Sequence, residues 1–261
     1  MDEIEKLLKV MRDLRDQDAG CPWDVKQDFS SIAPHTIEEA YEVADAIQRN
    51  DLDALKDELG DLLFQVVFHA RIAEEAGEFN FQAVADGISR KMIRRHPHVF
   101  GTARERQQGS SEGSWEKIKA GERLARKRHG SISILDNTPI ALPALKRAQK
   151  LGKKASSVGF DWPDSTGPYE KVDEELKELV DAESIGQSKA MEEELGDLLF
   201  AVVNLARHLQ VDAENALSKA NRKFEERFRS MEKLAHSRGD SLGDLELGDL
   251  DRLWDQVKAT E

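Results

Sequence analysis

The sequence repeats itself, and this repeat constrains the fold more than any other feature. Residues 59–71 read LGDLLFQVVFHAR and residues 195–207 read LGDLLFAVVNLAR, so ten of thirteen positions match at an offset of 136. A match of this length indicates the duplication of a folded unit. The same offset relates two sets of acids with no insertion or deletion between them: Glu38, Glu39, Glu42, Glu58 and Asp61 correspond to Glu174, Glu175, Glu178, Glu194 and Asp197.

Two similar domains of about 100 to 150 residues each fit a chain of 261 residues. Later matching pairs have offsets of 132 to 139, which indicates loops of different length between fixed elements. We therefore predict domains over residues 1–130 and 131–261. The composition is 39% apolar, 34% charged and only 6% aromatic, which favours amphipathic helices over a β-sandwich. The predicted fold class is all-α, with tandem duplicated helical-bundle domains.

Apolar residues in both halves keep the spacing of amphipathic helices. Leu59, Leu62, Leu63 and Val66 follow an i, i+3, i+4 rhythm. The pattern predicts two long helices in each half, separated by short turns near residues 50 and 186. A cluster of Gln, Gly and Ser predicts a loop over residues 101–114. The predicted helices cover residues 37–49, 52–75 and 81–95, and residues 169–183, 188–209 and 213–237.

Charge and hydropathy exclude several classes of partner. The net charge is −13 and no long Lys/Arg block occurs, so binding to a nucleic-acid backbone is disfavoured. A small anionic substrate would need a bridging metal ion. The first residues are acidic, and no apolar run approaches about 18 residues, so no membrane partner is expected. Cys21 is the single cysteine and suits a reducing compartment. We predict a cytoplasmic protein.

In each half, the acids lie at equal distances from the predicted turn between two helices. Two acids of one helix are three residues apart, so they share a face. Two carboxylates about 4 Å apart repel by about 4 kcal/mol at an effective dielectric near 20, unless a cation compensates. Oxygen ligands without His or Cys favour Mg²⁺, or Mn²⁺ as a substitute. For any single acid, the alternative is a solvated helix face. The paired acids are Glu42 with Glu58 and Glu39 with Asp61, then Glu178 with Glu194 and Glu175 with Asp197.

The strings EEAYE with ELGD and EELKE with ELGD resemble the MazG family of nucleoside triphosphate pyrophosphohydrolases. The strings CPWD before the first copy and KFEER in the second add to the resemblance. The resemblance implies an all-α bundle, usually dimeric, in which Mg²⁺ bridges the acids to a triphosphate. The implied reaction hydrolyses NTPs and dNTPs to the monophosphate and pyrophosphate, for example to cleanse the nucleotide pool. The implied metal ligands are Glu175, Glu178, Glu194 and Asp197, and in the first copy Glu39, Glu42, Glu58 and Asp61.

Other residues are candidates for the remaining catalytic roles. Glu174 and Glu38 lie four residues before an acid of the set and are candidates to orient the attacking water, although a solvated acid is the alternative. Cations should stand beside the departing pyrophosphate, although each single cation could also be a surface charge. The predicted cations are Lys171, Lys189, Lys223 and Arg227 in the second copy, with Lys91 and Arg95 in the first, where His35 stands in place of Lys171.

Tryptophans provide candidate contacts to the base. A tryptophan stacks on any base, and a lysine one turn away reaches phosphate. Trp254 with Lys258 is one such pair, and Trp115 with Lys119 is its counterpart in the first copy. Trp23 or Trp162 could also stack on a base, although aromatic residues more often anchor a core.

The serious alternative to an enzyme is a non-catalytic helical module that binds nucleotides or a partner protein. A P-loop NTPase is disfavoured because the sequence has no Gly-x-x-x-x-Gly-Lys-Ser/Thr string. Both copies keep the acids and the basic pair, so these residues leave open which copy is active. The resemblance favours the second copy as the main catalyst. The first could be weaker, differently selective or chiefly structural.

Overall fold

The computed structural model describes residues 2–108, 121 and 133–260, and within these residues it contains helices and no strand. The all-α prediction is therefore confirmed. The chain divides into two compact units, Met1–Arg126 and Lys127–Glu261. The predicted boundary between residues 130 and 131 lies outside the described residues.

The first unit consists of short helices around one long antiparallel pair. The long pair is α3 and α4, and α1 and α5 pack against α4. The predicted loop over residues 101–114 is wrong in part, because Ala103–Gln108 is helical. At the start of this helix, the backbone amides of Thr102 and Glu105 each donate a hydrogen bond to the side chain of the other residue. The helices are α1 Glu3–Leu14, α2 Pro22–Val25, α3 Phe29–Arg49, α4 Leu52–Glu75, α5 Phe81–Arg95, α6 Pro97–Phe100 and α7 Ala103–Gln108.

The second unit repeats the long antiparallel pair as α9 and α10, with α8 and α11 packed against it. The sequence predicted α11 at its observed bounds and placed the ends of α9 and α10 within three residues. A short 3₁₀ helix, Leu242–Asp244, joins α11 to α12. The helices are α8 Ala144–Ser156, α9 Thr166–Ile185, α10 Ser188–His208, α11 Ala213–Ser237 and α12 Leu247–Lys258.

The start of α3 lies eight residues before the predicted start, because a capping box fixes it there. The Asp28 side chain accepts the Ser31 amide proton at 2.8 Å, and the Asp28 amide donates to Ser31 Oγ at 2.9 Å. These bonds satisfy amides that a helix otherwise leaves unpaired at its N-terminus. Phe29, Ile32 and Ala33 keep the helical spacing before Ile37, but Pro34 follows them, and a proline inside such a pattern usually indicates the end of a helix.

The two tight turns are built from residues with left-handed backbone conformations. Asn50 ends α3 with φ 54° and Gly186 ends α9 with φ 74°. Asn and Gly tolerate this conformation better than other residues. Asp51 then caps α4 by accepting the Ala54 amide proton at 3.0 Å. Each turn folds its two long helices back on each other, which brings residues equally distant from the turn to the same level.

The core of the first unit lies where α1 crosses the α3–α4 pair. Phe68 and Met11 are almost wholly buried there. Arg15 is buried beside them, with its guanidinium 5.2 Å from the centre of the Phe68 ring. It donates to the backbone oxygen of Asp24 at 2.6 Å and to Glu75 at 2.6 Å. Arg15 therefore holds the segment that leads into α3 against the end of α4.

Many apolar side chains on the long helix pairs remain exposed. In the second unit, the exposed set includes Leu176, Val180, Leu195, Leu199 and Phe200. Exposed apolar surface of this extent typically marks an interaction face. None of the helices in the described ranges has the length and apolar character that a membrane span requires. The cytoplasmic location stays a prediction.

Candidate metal centres

The first candidate centre lies between α3 and α4. Carboxylate oxygens of Glu39, Glu42 and Glu58 all lie within 4.8 Å of one another. Asp61 is not part of this tightest group, but it lies near enough for its charge to act on two of the three. Burial and then the charges of Asp61 and Glu42 raise the pKa of Glu39. Burial and then the charges of Glu42 and Asp61 raise the pKa of Glu58.

The second candidate centre lies at the corresponding level between α9 and α10. Carboxylate oxygens of Glu175, Glu194 and Asp197 lie within 4.8 Å of one another. Here Glu178 is the acid outside the tightest group. Burial and then the charges of Glu175 and Glu194 raise the pKa of Glu178. Each unit thus gathers its four predicted acids into one region, with three of them close enough to share an ion.

The chemistry of both donor sets fits a hard divalent cation. The ligand atoms are all carboxylate oxygens, and helices on both sides of each cluster fix their positions. Their mutual repulsion, which adds to the effect of burial on the pKa values of Glu39, Glu58 and Glu178, would be relieved by a cation between them. Oxygen donors of this kind suit Mg²⁺ and Mn²⁺.

The clusters differ in the side chain that contacts their innermost acid. Glu39 accepts a hydrogen bond from Gln65 Nε2 at 3.4 Å, and Gln65 is buried, with no bonding partner for its Oε1 among the described residues. Glu175 instead pairs with Lys171, whose Nζ lies 2.6 Å from its Oε1. Sequence reasoning missed Gln65. Its signal was the mismatch of LFQVV with LFAVV inside the repeat, where Ala201 is the counterpart.

The two candidate water-orienting acids lie at the rims of the clusters. Glu174 is exposed, and its Oε1 lies 2.9 Å from Lys171 Nζ. Glu38 is exposed, and its Oε2 lies 3.5 Å from Nδ1 of His35. The ammonium of Lys171 donates hydrogen bonds to Glu175 and to Glu174, and these bonds raise the pKa of Lys171 above its ordinary value, with Glu175 having the larger effect.

The predicted cation–tryptophan group of the second unit forms part of a packed aromatic cluster. The Arg227 guanidinium lies 5.8 Å from the centre of the Trp254 ring, and Phe224 lies 5.4 Å from the same ring. Trp254 also packs on the core of α11 and α12 that contains Met231. Lys223, one turn before Arg227, is exposed. The structure therefore brings Arg227 and Trp254 together and leaves one side of this cluster open to solvent.

The remaining predicted cations lie on helix surfaces. Lys189 Nζ lies 4.0 Å from Glu193, and Lys258 Nζ lies 3.8 Å from Asp255. Lys91 and Arg95 lie one turn apart on α5, and both are partly buried. The predicted pair Trp115 and Lys119 lies outside the described residues.

A known family model matches the two segments of the chain that contain the acid clusters. The family model of the MazG nucleotide pyrophosphohydrolase domain matches residues 27–100 and 167–231, and each of these segments contains one acid cluster.

Three named relatives extend the comparison. A nucleoside triphosphate pyrophosphohydrolase of Escherichia coli (strain K12) is 49% identical over 100% of this chain and 99% of its own length. The nucleoside triphosphate pyrophosphohydrolase/pyrophosphatase MazG of Thermotoga maritima is 47% identical over 98% of this chain and 95% of its own. A nucleoside triphosphate pyrophosphohydrolase of Mycobacterium tuberculosis is 38% identical over 62% of this chain and 48% of its own. The resemblance found in the sequence is thus confirmed, and this chain belongs to the MazG family of nucleotide pyrophosphohydrolases.

Proposed function

We propose that this enzyme hydrolyses nucleoside triphosphates, both NTPs and dNTPs, to the monophosphate and pyrophosphate in a Mg²⁺-dependent reaction. The observation that carries the proposal is the second cluster, where oxygens of Glu175, Glu194 and Asp197 lie within 4.8 Å of one another beside the ammonium of Lys171. The names of the full-length relatives support the same reaction. Mn²⁺ should substitute for Mg²⁺, because it accepts the same oxygen ligands.

In this proposal, the acids of the second unit hold the metal ion and position water. Glu175, Glu178, Glu194 and Asp197 are the ligands, and a bound Mg²⁺ would supply charge stabilisation and a more acidic water. Glu174 orients the water that attacks the α-phosphorus and accepts its proton. The bond between the α-phosphorus and the bridging oxygen breaks, and pyrophosphate leaves.

The basic and aromatic residues of the second unit bind the rest of the substrate. Lys171 and Lys189 contact the phosphates, and Lys223 with Arg227 stabilises the charge on the departing pyrophosphate. Trp254 stacks on the base, and Lys258 reaches phosphate. Stacking on a flat ring does not select a particular base, which supports broad base tolerance and a role in cleansing the nucleotide pool.

The first unit carries an equivalent but weaker or more selective site in this proposal. We assign the two sites to domains over residues 1–130 and 131–261. The second is the main catalyst, because its cluster contains a lysine where the first has His35. The proposed roles in the first unit follow the repeat: Glu38 orients water, Glu39, Glu42, Glu58 and Asp61 hold the metal ion, and Lys91, Arg95, Trp115 and Lys119 contact the substrate.

We also propose that the protein is a homodimer. The exposed apolar side chains of α9 and α10, such as Val180, Leu199 and Phe200, would then be covered by a second copy. Sedimentation equilibrium gives the mass directly. A monomer at micromolar concentration would contradict this part of the proposal.

Identification of the reaction products tests the central proposal. Purified protein is incubated with each NTP and dNTP and Mg²⁺, and the products are separated by anion-exchange chromatography. Monophosphate with pyrophosphate supports the proposal, and diphosphate with phosphate contradicts it. Binding without turnover would favour the non-catalytic module, in which the same acids serve only to hold a nucleotide.

A further inference from the structure

The innermost acid contacts a charged side chain in one cluster and an uncharged side chain in the other. In the second unit, Lys171 Nζ lies 2.6 Å from Glu175. The repeat places His35 at the position of Lys171, and His35 contacts Glu38 instead of the innermost acid, Glu39. Glu39 receives the uncharged amide of Gln65. One cluster therefore contains an ammonium group and the other contains an amide.

Burial explains why Glu175 needs its lysine. Glu175 is only 5% exposed, and a carboxylate withdrawn this far from water is costly without a charged or hydrogen-bonding partner. The side chain of Lys171 remains 36% exposed. Its flexible stem can therefore carry the ammonium from Glu175 to an anion in solvent without any movement of α9.

From these contacts we propose that Lys171 is a built-in counter-ion that makes metal binding at the second cluster depend on the triphosphate, whereas the first cluster binds the metal ion alone. A divalent ion and the ammonium would compete for the carboxylate of Glu175. A bound triphosphate offers Lys171 another anion and thereby frees that carboxylate. In the first cluster, the side chain that bonds Glu39 among the described residues is the uncharged amide of Gln65, so a metal ion at Glu39 displaces no ammonium there. The role of the triphosphate rests on the proposed function, but the difference in metal binding does not.

The expected difference in metal affinity between the two clusters follows from the charge of the ammonium group and that of the divalent ion. An ammonium that stays about 6 Å from a divalent ion opposes its binding about tenfold, even in a medium as polar as water. The second cluster should therefore bind the metal ion alone about tenfold more weakly than the first, or weaker still.

Titration with Mn²⁺, followed by the electron paramagnetic resonance of the free ion, measures this difference without turnover. The wild-type chain should show a tight and a weak class of site. Lys171→Gln should tighten the weak class about tenfold. Lys177→Gln is the matched control, because it removes the same charge from an exposed position of the same helix, and it should leave both classes unchanged. Equal effects of the two variants, or none from Lys171→Gln, would overturn the proposal.

Two further measurements keep the test decisive if Lys171→Gln folds poorly. The double variant His35→Lys/Gln65→Ala copies the second cluster into the first and should weaken the tight class. An α,β-methylene triphosphate should tighten Mn²⁺ binding at the weak site of the wild type. A double variant that leaves the tight class unchanged, or an analogue without effect, contradicts the counter-ion role. If the Mn²⁺ classes behave as expected but no triphosphate is hydrolysed, the proposed function fails and this inference stands.

Discussion

Replacement of Glu39 by glutamine should stabilise the metal-free protein and weaken its stabilisation by Mg²⁺. Glu39 has oxygen atoms within 4.8 Å of those of Glu42 and Glu58. Glutamine removes the charge and keeps nearly the same shape, and its amide oxygen can still accept from Gln65. A residue whose loss strengthens the apo fold and weakens the metal-bound one is a metal ligand, since a purely structural acid would affect both states alike.

The magnitude follows from Coulomb's law. Two charges about 4.8 Å apart repel by about 0.9 kcal/mol in water and by about 3.5 kcal/mol at an effective dielectric near 20. Glu39 is only partly buried, so we expect a gain of about 1–2 kcal/mol. For a unit of this size, such a gain raises the melting temperature by about 3–8 °C.

Differential scanning calorimetry in EDTA, and then with increasing Mg²⁺, measures both effects. The Glu38→Gln variant is the control, because Glu38 is the exposed neighbour outside the tight group. The control should move neither the apo melting temperature nor the Mg²⁺ response by a comparable amount. If Glu39→Gln instead lowers the melting temperature in EDTA, the reasoning from repulsion is refuted.

The stability difference between Glu39→Gln and the wild type should change with pH in a defined direction. The folded-state pKa of Glu39 is raised by burial and then by the charges of Asp61 and Glu42. A carboxyl group with a raised folded-state pKa destabilises the fold above that pKa, and the penalty disappears as the pH falls through it towards the unfolded value near 4.5. The advantage of Glu39→Gln over wild type in EDTA should therefore shrink between neutral pH and about pH 4.5. An advantage that grows on acidification would contradict this assignment.

Three more substitutions test the activity and the fold. Glu178→Gln should lower kcat/KM for every triphosphate about hundredfold, whereas Glu42→Gln should lower kcat/KM far less. A larger loss from Glu42→Gln would make the first unit the main catalyst. Trp254→Ala should raise KM by about 5- to 100-fold for all bases alike, because the base loses a surface on which it stacks. Unchanged KM values would show that Trp254 does not contact the base. Arg15→Met should cost about 3 kcal/mol in urea denaturation, because the buried carbonyl of Asp24 and the partly exposed carboxylate of Glu75 lose their donor. The exposed Arg12→Met should cost little, and equal losses would refute the role of the Arg15 contacts.

Much of the fold was readable from the sequence because its signals are local. The repeat predicted two units, and apolar spacing predicted α4, α5 and α11 at their observed bounds. The start of α3 at the Asp28 cap was not predicted. Bonds from a capping side chain to backbone amides set where a helix begins, and apolar spacing does not report them.

The sequence alone determined that four acids of each unit meet, because helix periodicity and a turn at residue 50 or 186 set the face and level of every residue. Only the tertiary structure decided which three come closest: Asp61 is outside the tight group in one unit and Glu178 in the other. It also decided that Lys171 pairs with Glu175, whereas the amide of Gln65 contacts Glu39. Sequence spacing sets where a Cβ atom lies, but the rotamer and the non-local neighbours set where the charged atoms lie, and these depend on the packed environment of each side chain.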